Sequence, residues 1–127
     1  MSSPQGPARS AFLLGSVLGL TAVILGAMGA HLLKSRLNPE QLVSFETAVR
    51  FQMYHAFFLL LMGLLYLRSQ HRLLRAAIWL ALAGVVMFSG SIYVLIFTPL
   101  PVGPVTPAGG LLMITAWAAL GIWAWRQ

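Results

Sequence analysis

The sequence predicts an all-α membrane protein whose four transmembrane helices form an up-down bundle. Hydrophobic residues make up 59% of the 127-residue chain and charged residues only 8%, whereas about 25% of the residues of an ordinary soluble domain are charged. The charged residues leave three long charge-free runs, at residues 10–33, 51–67 and 76–125. A transmembrane helix needs about 20 apolar residues, so the first two runs each cross the membrane once and the third is long enough to cross twice.

The first helix is expected at residues 11–33, after a polar tail at residues 1–10. Arg9 before an apolar stretch resembles a secretory signal, but a signal core is typically about 7–15 residues long, so we expect a retained helix. Small residues recur here, mostly at every fourth position: Gly15, Gly19, Ala22, Gly26 and Ala30, with Gly29 beside them. In lipid, small residues let helix backbones approach closely, which predicts a packing face; a ligand groove is the alternative.

The second helix is expected to begin in NPEQ, residues 38–41. Asn38 is suited to cap the helix, Pro39 fits its first position, and Gln41 can complete a capping box. The helical pattern continues to residue 67, which gives a length of about 43 Å at 1.5 Å per residue. Because the hydrocarbon core is about 30 Å thick, we expect residues 50–67 to span it and the N-terminal extension to lie at the interface.

The third and fourth helices are expected at residues 76–97 and 106–125, after a short basic loop at residues 68–75. They are separated by TPLPVGPVTP, whose four prolines no continuous helix would tolerate. Thr106 and Pro107 are suited to start the fourth helix. Small residues that we expect to pack helices together are Ser89, Gly90, Gly109 and Gly110.

Six residues are expected to form a structural polar cluster near one membrane face: His31, Glu46, Arg50, Gln52, Tyr54 and His55. Glu46, Arg50 and Tyr54 are spaced by four residues, so they share one stripe of the helix and Glu46 can pair with Arg50. Gln52 and His55 lie on roughly the opposite side and can reach a different neighbour. We expect the cluster to tie the second helix to the others.

These residues do not form a recognisable catalytic set. The chain contains no Cys and no Asp, which excludes a thiolate nucleophile and a Ser-His-Asp triad. Despite a net charge of +6, the basic residues are scattered at the ends of the spans and form no nucleic-acid-binding face. We therefore expect no enzymatic activity, no metal, no cofactor and no nucleic acid partner. Haem ligation by His31 and His55 is the alternative for the histidines.

Four motifs resemble a known family: GAMGAH (residues 26–31), FETAVRFQMYHA (45–56), FSGSIY (88–93) and GPVTPAGG (103–110). Their order and approximate spacing are similar to those of the small four-helix membrane family catalogued as domain of unknown function 423. The resemblance covers all four helices and implies the fold and, from the bacterial members, an inner-membrane location. Related eukaryotic proteins are labelled only as transmembrane proteins, so the resemblance implies no activity.

The residues carried over from these motifs are Gly26, Gly29, His31, Glu46, Arg50, Gln52, Tyr54, His55, Ser89, Gly90, Tyr93, Pro104, Thr106, Pro107, Gly109 and Gly110. Met28 stands where the family resemblance leads us to expect a bulkier aromatic residue. This difference concerns packing only.

The favoured functional interpretation is a non-enzymatic structural or accessory component of a membrane protein complex or of its assembly. Its expected partners are the lipid bilayer and other membrane subunits or further copies of itself. The alternative is a small transporter or channel, which would have to be oligomeric because four helices with few polar groups cannot enclose a water-filled path. A haem- or quinone-binding redox subunit is a further alternative.

The expected location is a bacterial inner (cytoplasmic) membrane, crossed several times. Positively charged residues favour the cytoplasmic side of a membrane. The side that carries both termini collects Arg9, Arg68, Arg72, Arg75 and Arg126, whereas the other side collects Lys34, Arg36 and Arg50. This distribution predicts that both termini are cytoplasmic.

Overall fold

The structure is a computed structural model that describes residues 3–127, and these residues form helices and no strand. Helix α1 comprises Gly6–Met28 and continues into a π-helical turn at Gly29–Leu33. Helices α2, α3 and α4 comprise Pro39–Arg68, Arg72–Phe97 and Val105–Trp125. Each of the four, with α1 taken together with the π-helical turn, is long and apolar enough to cross a membrane. The predicted fold class is confirmed.

Helix α1 begins at Gly6, inside the segment that the sequence suggested as a polar tail. Gly6 adopts a φ of 58°, in the left-handed region that glycine favours, and a proline, which suits a helix start, follows in the first turn. Ala8 and Ala11 are then buried against the other helices, so burial holds this extra turn in place. Residues 1 and 2 of the expected tail lie outside the described residues.

Helices α2 and α3 each receive a side-chain cap at the N-terminus. Asn38 accepts a hydrogen bond of 2.8 Å from the Gln41 amide, and the Gln41 side chain accepts one of 3.1 Å from the Asn38 amide, so the predicted capping box is formed. His71 caps α3, because its Nδ1 accepts a hydrogen bond of 3.0 Å from the Leu73 amide. The loop between α2 and α3 is therefore shorter than the sequence suggested.

The two central helices are α2 and α3. Helix α1 packs along α2, and α4 packs along α3, whereas in residues 3–127 no Cα atoms of α1 and α4 lie within 8 Å of each other. The largest cluster of buried apolar side chains contains Leu59, Met62 and Ile78 and lies in the half of the bundle near the 69–71 turn. The opposite half, near the 34–38 and 98–104 connections, contains the buried polar residues.

Candidate functional site

Gln52 connects three helices. It lies on the buried face of α2 with only 5% of its surface exposed. Its Nε2 donates hydrogen bonds of 3.0 Å to the Leu18 carbonyl and 2.6 Å to the Thr21 hydroxyl, both on α1. Its Oε1 accepts a hydrogen bond of 2.8 Å from the Tyr93 hydroxyl on α3. Both hydrogens of the amide are thus used within the protein.

His55 connects α2 to α4. The Trp117 indole nitrogen, which can only donate, lies 3.2 Å from His55 Nε2, so this ring nitrogen accepts. The other ring nitrogen, Nδ1, lies 2.8 Å from the Phe51 carbonyl and donates to it. These two bonds define a neutral imidazole with its proton on Nδ1. The Phe58 ring packs against both the His55 ring and the Trp117 ring, at centroid distances of 6.1 and 4.5 Å.

Two serines of α3 complete these connections. Ser89 Oγ donates a hydrogen bond of 2.7 Å to the Ala48 carbonyl on α2. Ser91 is hydrogen-bonded to the hydroxyl of Thr106 at the start of α4. The two serines of the SGS segment, residues 89–91, therefore bind across helices. We call the set of side chains that join helices in this way the polar layer: Thr21, Gln52, His55, Ser89, Ser91, Tyr93, Thr106 and Trp117.

The remaining residues of the predicted polar cluster face outward. Glu46, Arg50, Tyr54 and His31 are exposed, and none of the side-chain hydrogen bonds that join different helices within residues 3–127 involves them. The structure thus divides the cluster into buried Gln52 and His55 and an outward-facing set. His55 faces α4 while His31 is exposed on the π-helical turn, so the two histidines are not brought together.

Glu46 and Arg50 border a groove between the end of α1 and the start of α2, which we call the outer groove. It has a volume of about 190 Å³ and is lined by Gly26, Gly29, Ala30, Phe45, Glu46, Val49 and Arg50. Apart from the two charged side chains, its walls consist of small or apolar residues. None of the residues that line the outer groove belongs to the polar layer, although the Phe45 ring packs against the Tyr93 ring at a centroid distance of 5.6 Å.

The predicted packing glycines differ in how closely their neighbours approach. An added Cβ atom at Gly29 or Gly109 would lie 2.8 or 2.5 Å from a neighbouring atom, so a side chain there would force its neighbours to move, and at Gly15 it would lie a tight 3.0 Å from the Ala56 carbonyl oxygen. At Gly19, Gly26 and Gly110 the nearest atom would be 3.6 to 3.8 Å away, an ordinary contact, and Gly90 faces open space. Ala30 contributes to the outer groove, and Ser89 contributes a hydrogen bond.

Sequence reasoning missed several residues of this arrangement. Thr106 was expected to cap α4, but its hydroxyl binds Ser91, while Pro104 occupies the cap position. The Trp117 indole nitrogen binds His55, a contact that the sequence did not indicate. Gly63 and Gly84 also make close contacts that the spacing of small residues did not indicate. Among the missed residues, Thr21 could have been noticed from the sequence, because it places a hydroxyl group in the middle of an apolar helix.

Within residues 3–127, no three His, Asp or Glu side chains lie close enough together to hold a metal ion. The histidines are the imidazole ligands that the sequence offers a haem iron, and both ring nitrogens of His55 are engaged by Phe51 and Trp117. His55 therefore joins α2 to α4 through its bond with Trp117.

Residues 25–110 match the model of a family described as "Protein of unknown function (DUF423)". The chain belongs to this family. The match runs from the end of α1 into the first turns of α4, and so includes most of the polar layer and all of the outer groove. The resemblance inferred from the four sequence motifs is confirmed.

Curated relatives of similar length bear the name UPF0382 membrane protein. One from Staphylococcus aureus strain bovine RF122 is 38% identical over 109 residues, which cover 85% of this chain and 88% of the relative. YwdK of Bacillus subtilis strain 168 is 39% identical over 107 residues, which cover 83% of this chain and 87% of YwdK. No solved structure matches the chain. The protein is thus a membrane protein of a family without an assigned function.

Proposed function

We propose that the protein is a non-enzymatic accessory component of a membrane protein complex, with its helices in the cytoplasmic membrane. The observation that carries this proposal is the contrast between the inside and the outside of the bundle. Inside, the buried side chains of Gln52, His55, Ser89 and Ser91 all bind other groups of the same chain. The polar layer is therefore occupied with holding the helices together.

Outside, the bundle offers apolar faces on two helices that do not touch each other. Helix α1 exposes Val17 and Ile24, and α4 exposes Leu111 and Ile114, each by at least 50% of its surface. Two such faces on separate helices suit a component that contacts a second membrane protein through one face while lipid covers the other. A pore built from several copies would need polar residues on these faces, so the apolar faces favour an accessory role over a channel.

Site-specific photo-cross-linking in native membranes tests this proposal. A photoreactive residue is placed at Val17 or Ile24 on α1 and at Leu111 or Ile114 on α4, so that each face serves as the control for the other. We expect one discrete cross-linked protein from one face only, and the same protein should co-purify in a fixed ratio in mild detergent. Recovery of uncross-linked monomer from both faces would overturn the proposal.

A further inference from the structure

The outer groove lies where the span of α2 meets the lipid headgroups. Arg68 ends α2 next to the 69–71 turn, and Arg50 precedes it by about 27 Å along the helix axis at 1.5 Å per residue. The hydrocarbon core is about 30 Å thick. With Arg68 at one membrane surface, the Arg50 backbone lies about 3 Å short of the opposite surface of the core, a gap that the long Arg side chain spans, and Glu46 lies about 6 Å further out.

The two charges of the groove follow a fixed order along the membrane normal. Arg50, the deeper of the two, is exposed, and a cation at headgroup level is stabilised by an anionic partner. Glu46, further out, is also exposed and carries the opposite charge. A zwitterionic phospholipid headgroup has the matching order, because its phosphate is attached to the glycerol and its amine lies beyond the phosphate.

The apolar wall of the groove suits the part of a phospholipid below its phosphate. Gly26 and Ala30 on the α1 side have little or no side chain, which leaves space beside Val49. A Cβ atom at Gly26 would lie 3.6 Å from Val49, an ordinary contact, whereas one at Gly29 would lie 2.8 Å from the Phe45 ring, so the groove leaves more room beside Gly26 than beside Gly29. An acyl chain in this space would cover apolar surface while its headgroup meets the two charges.

We propose that the outer groove binds a phospholipid with an ethanolamine headgroup. Arg50 binds the phosphate, Glu46 accepts hydrogen bonds from the primary ammonium group, and one acyl chain lies between α1 and α2. A choline headgroup carries no N–H to donate to Glu46, and a glycerol headgroup offers it no positive charge. The order of Glu46 and Arg50 therefore selects ethanolamine over both.

Native mass spectrometry of the purified full-length chain tests the selection. The probes are phosphatidylethanolamine, phosphatidylcholine and phosphatidylglycerol with identical acyl chains. We expect phosphatidylethanolamine to bind about tenfold more tightly than the other two, the factor expected from one charge-assisted hydrogen bond. Arg50→Gln should weaken its binding by about the same factor, and Glu46→Gln should abolish the preference for ethanolamine.

Matched variants separate the order of the charges from their mere presence. Arg36→Gln and Glu40→Gln change the same residue types outside the groove and should leave binding unchanged. Exchanging the two charges, by Glu46→Arg combined with Arg50→Glu, keeps the net charge but reverses their order, so the preference should be lost. All of these positions are exposed, and the unfolding temperature of each variant confirms that it folds.

Two variants with a larger side chain test whether the lipid lies in the groove. Ala30 lines the groove and Ala27 does not, although both are exposed on neighbouring turns. We expect Ala30→Leu to weaken binding of phosphatidylethanolamine by about tenfold and Ala27→Leu to leave it unchanged. Equal binding of the three lipids, a preference that survives the charge exchange, or a second copy of the chain covering the groove would each overturn the proposal.

Discussion

At the scale of single residues, the polar layer shows how polar side chains are accommodated at membrane depth. No water is available in the hydrocarbon core, so each buried donor or acceptor needs a partner within the protein. Gln52 finds partners on α1 and α3, and His55 finds one on α4. Each of these side chains consequently fixes the position of a neighbouring helix relative to α2.

Replacing Gln52 by Met should destabilise the protein by about 2 kcal/mol. The change keeps the length of the side chain but removes three hydrogen bonds, which are worth about 0.6 kcal/mol each within a membrane. Unfolding in mixed detergent micelles measures the loss. Thr115→Val is the control, because the exposed Thr115 hydroxyl binds only the Leu111 carbonyl of its own helix.

A double-mutant cycle sharpens this prediction. Tyr93→Phe removes the bond that the Tyr93 hydroxyl donates to Gln52 Oε1, and the same bond is already lost in Gln52→Met. The two changes should therefore be coupled by about 0.6 kcal/mol. Strictly additive losses would contradict the hydrogen bond between these two side chains.

Trp117→Phe should cost about 0.6 to 1.7 kcal/mol of stability, the average and the maximum measured for hydrogen bonds between membrane helices. The phenyl ring can keep its contact with Phe58, whereas His55 Nε2 loses its donor. Trp125→Phe provides the control, because Trp125 is 89% exposed and ends α4. Equal stability of the two variants would show that the indole N–H of Trp117 contributes nothing.

At the scale of helices, the sequence predicted the positions of the four helices along the chain better than it predicted which residues of different helices are in contact. Charge-free runs and the Asn38 capping box are local features, so they indicated the four helices and the start of α2. Which glycines pack closely depends on which helix faces which, and small residues occur on several faces of every helix. Gly84 and Gly63 therefore escaped notice, while Gly90, which was expected to pack, faces open space.

The closest helix contact should respond strongly to a single methyl group. A Cβ atom at Gly84 would lie 2.8 Å from the Met113 amide nitrogen and 2.9 Å from the Gly109 carbonyl oxygen, both backbone atoms of α4. Gly84→Ala should therefore force α3 and α4 apart and cost about 1–3 kcal/mol. The measurement is again unfolding in mixed micelles.

Gly121→Ala and Gly90→Ala are the controls for this prediction, because neither position has an atom within 4 Å of the added Cβ. Alanine also has the higher helix propensity, so these variants should be neutral or slightly more stable. A loss of stability in Gly84→Ala no larger than in the controls would show that α3 and α4 are not in backbone contact there.

At the scale of the whole molecule, the bundle is divided into an apolar half near the 69–71 turn and a polar half near the other two connections. The sequence indicated part of this division, because it predicted a polar cluster near one membrane face that includes Gln52 and His55. It could not assign partners, because residues from different helices, such as Thr21 and Gln52, meet only through the fold. The sequence placed Glu46 and Arg50 on one stripe of α2 and Gln52 on roughly the opposite side, but it could not show which of the two sides is buried.

The remaining prediction concerns the orientation of the bundle: both termini and the 69–71 turn should face the cytoplasm. The five arginines Arg9, Arg68, Arg72, Arg75 and Arg126 lie on this side, and positive charge favours the cytoplasmic side.

The chain contains no Cys, so single cysteines can be introduced and labelled with a membrane-impermeant maleimide. Ser35→Cys and Thr98→Cys, on the opposite side, should be labelled in cells with a sealed cytoplasmic membrane, whereas Ser3→Cys and Gln70→Cys should be labelled only after that membrane is permeabilised. All four positions are exposed, so the reverse labelling pattern would show that the bundle is inserted the other way round.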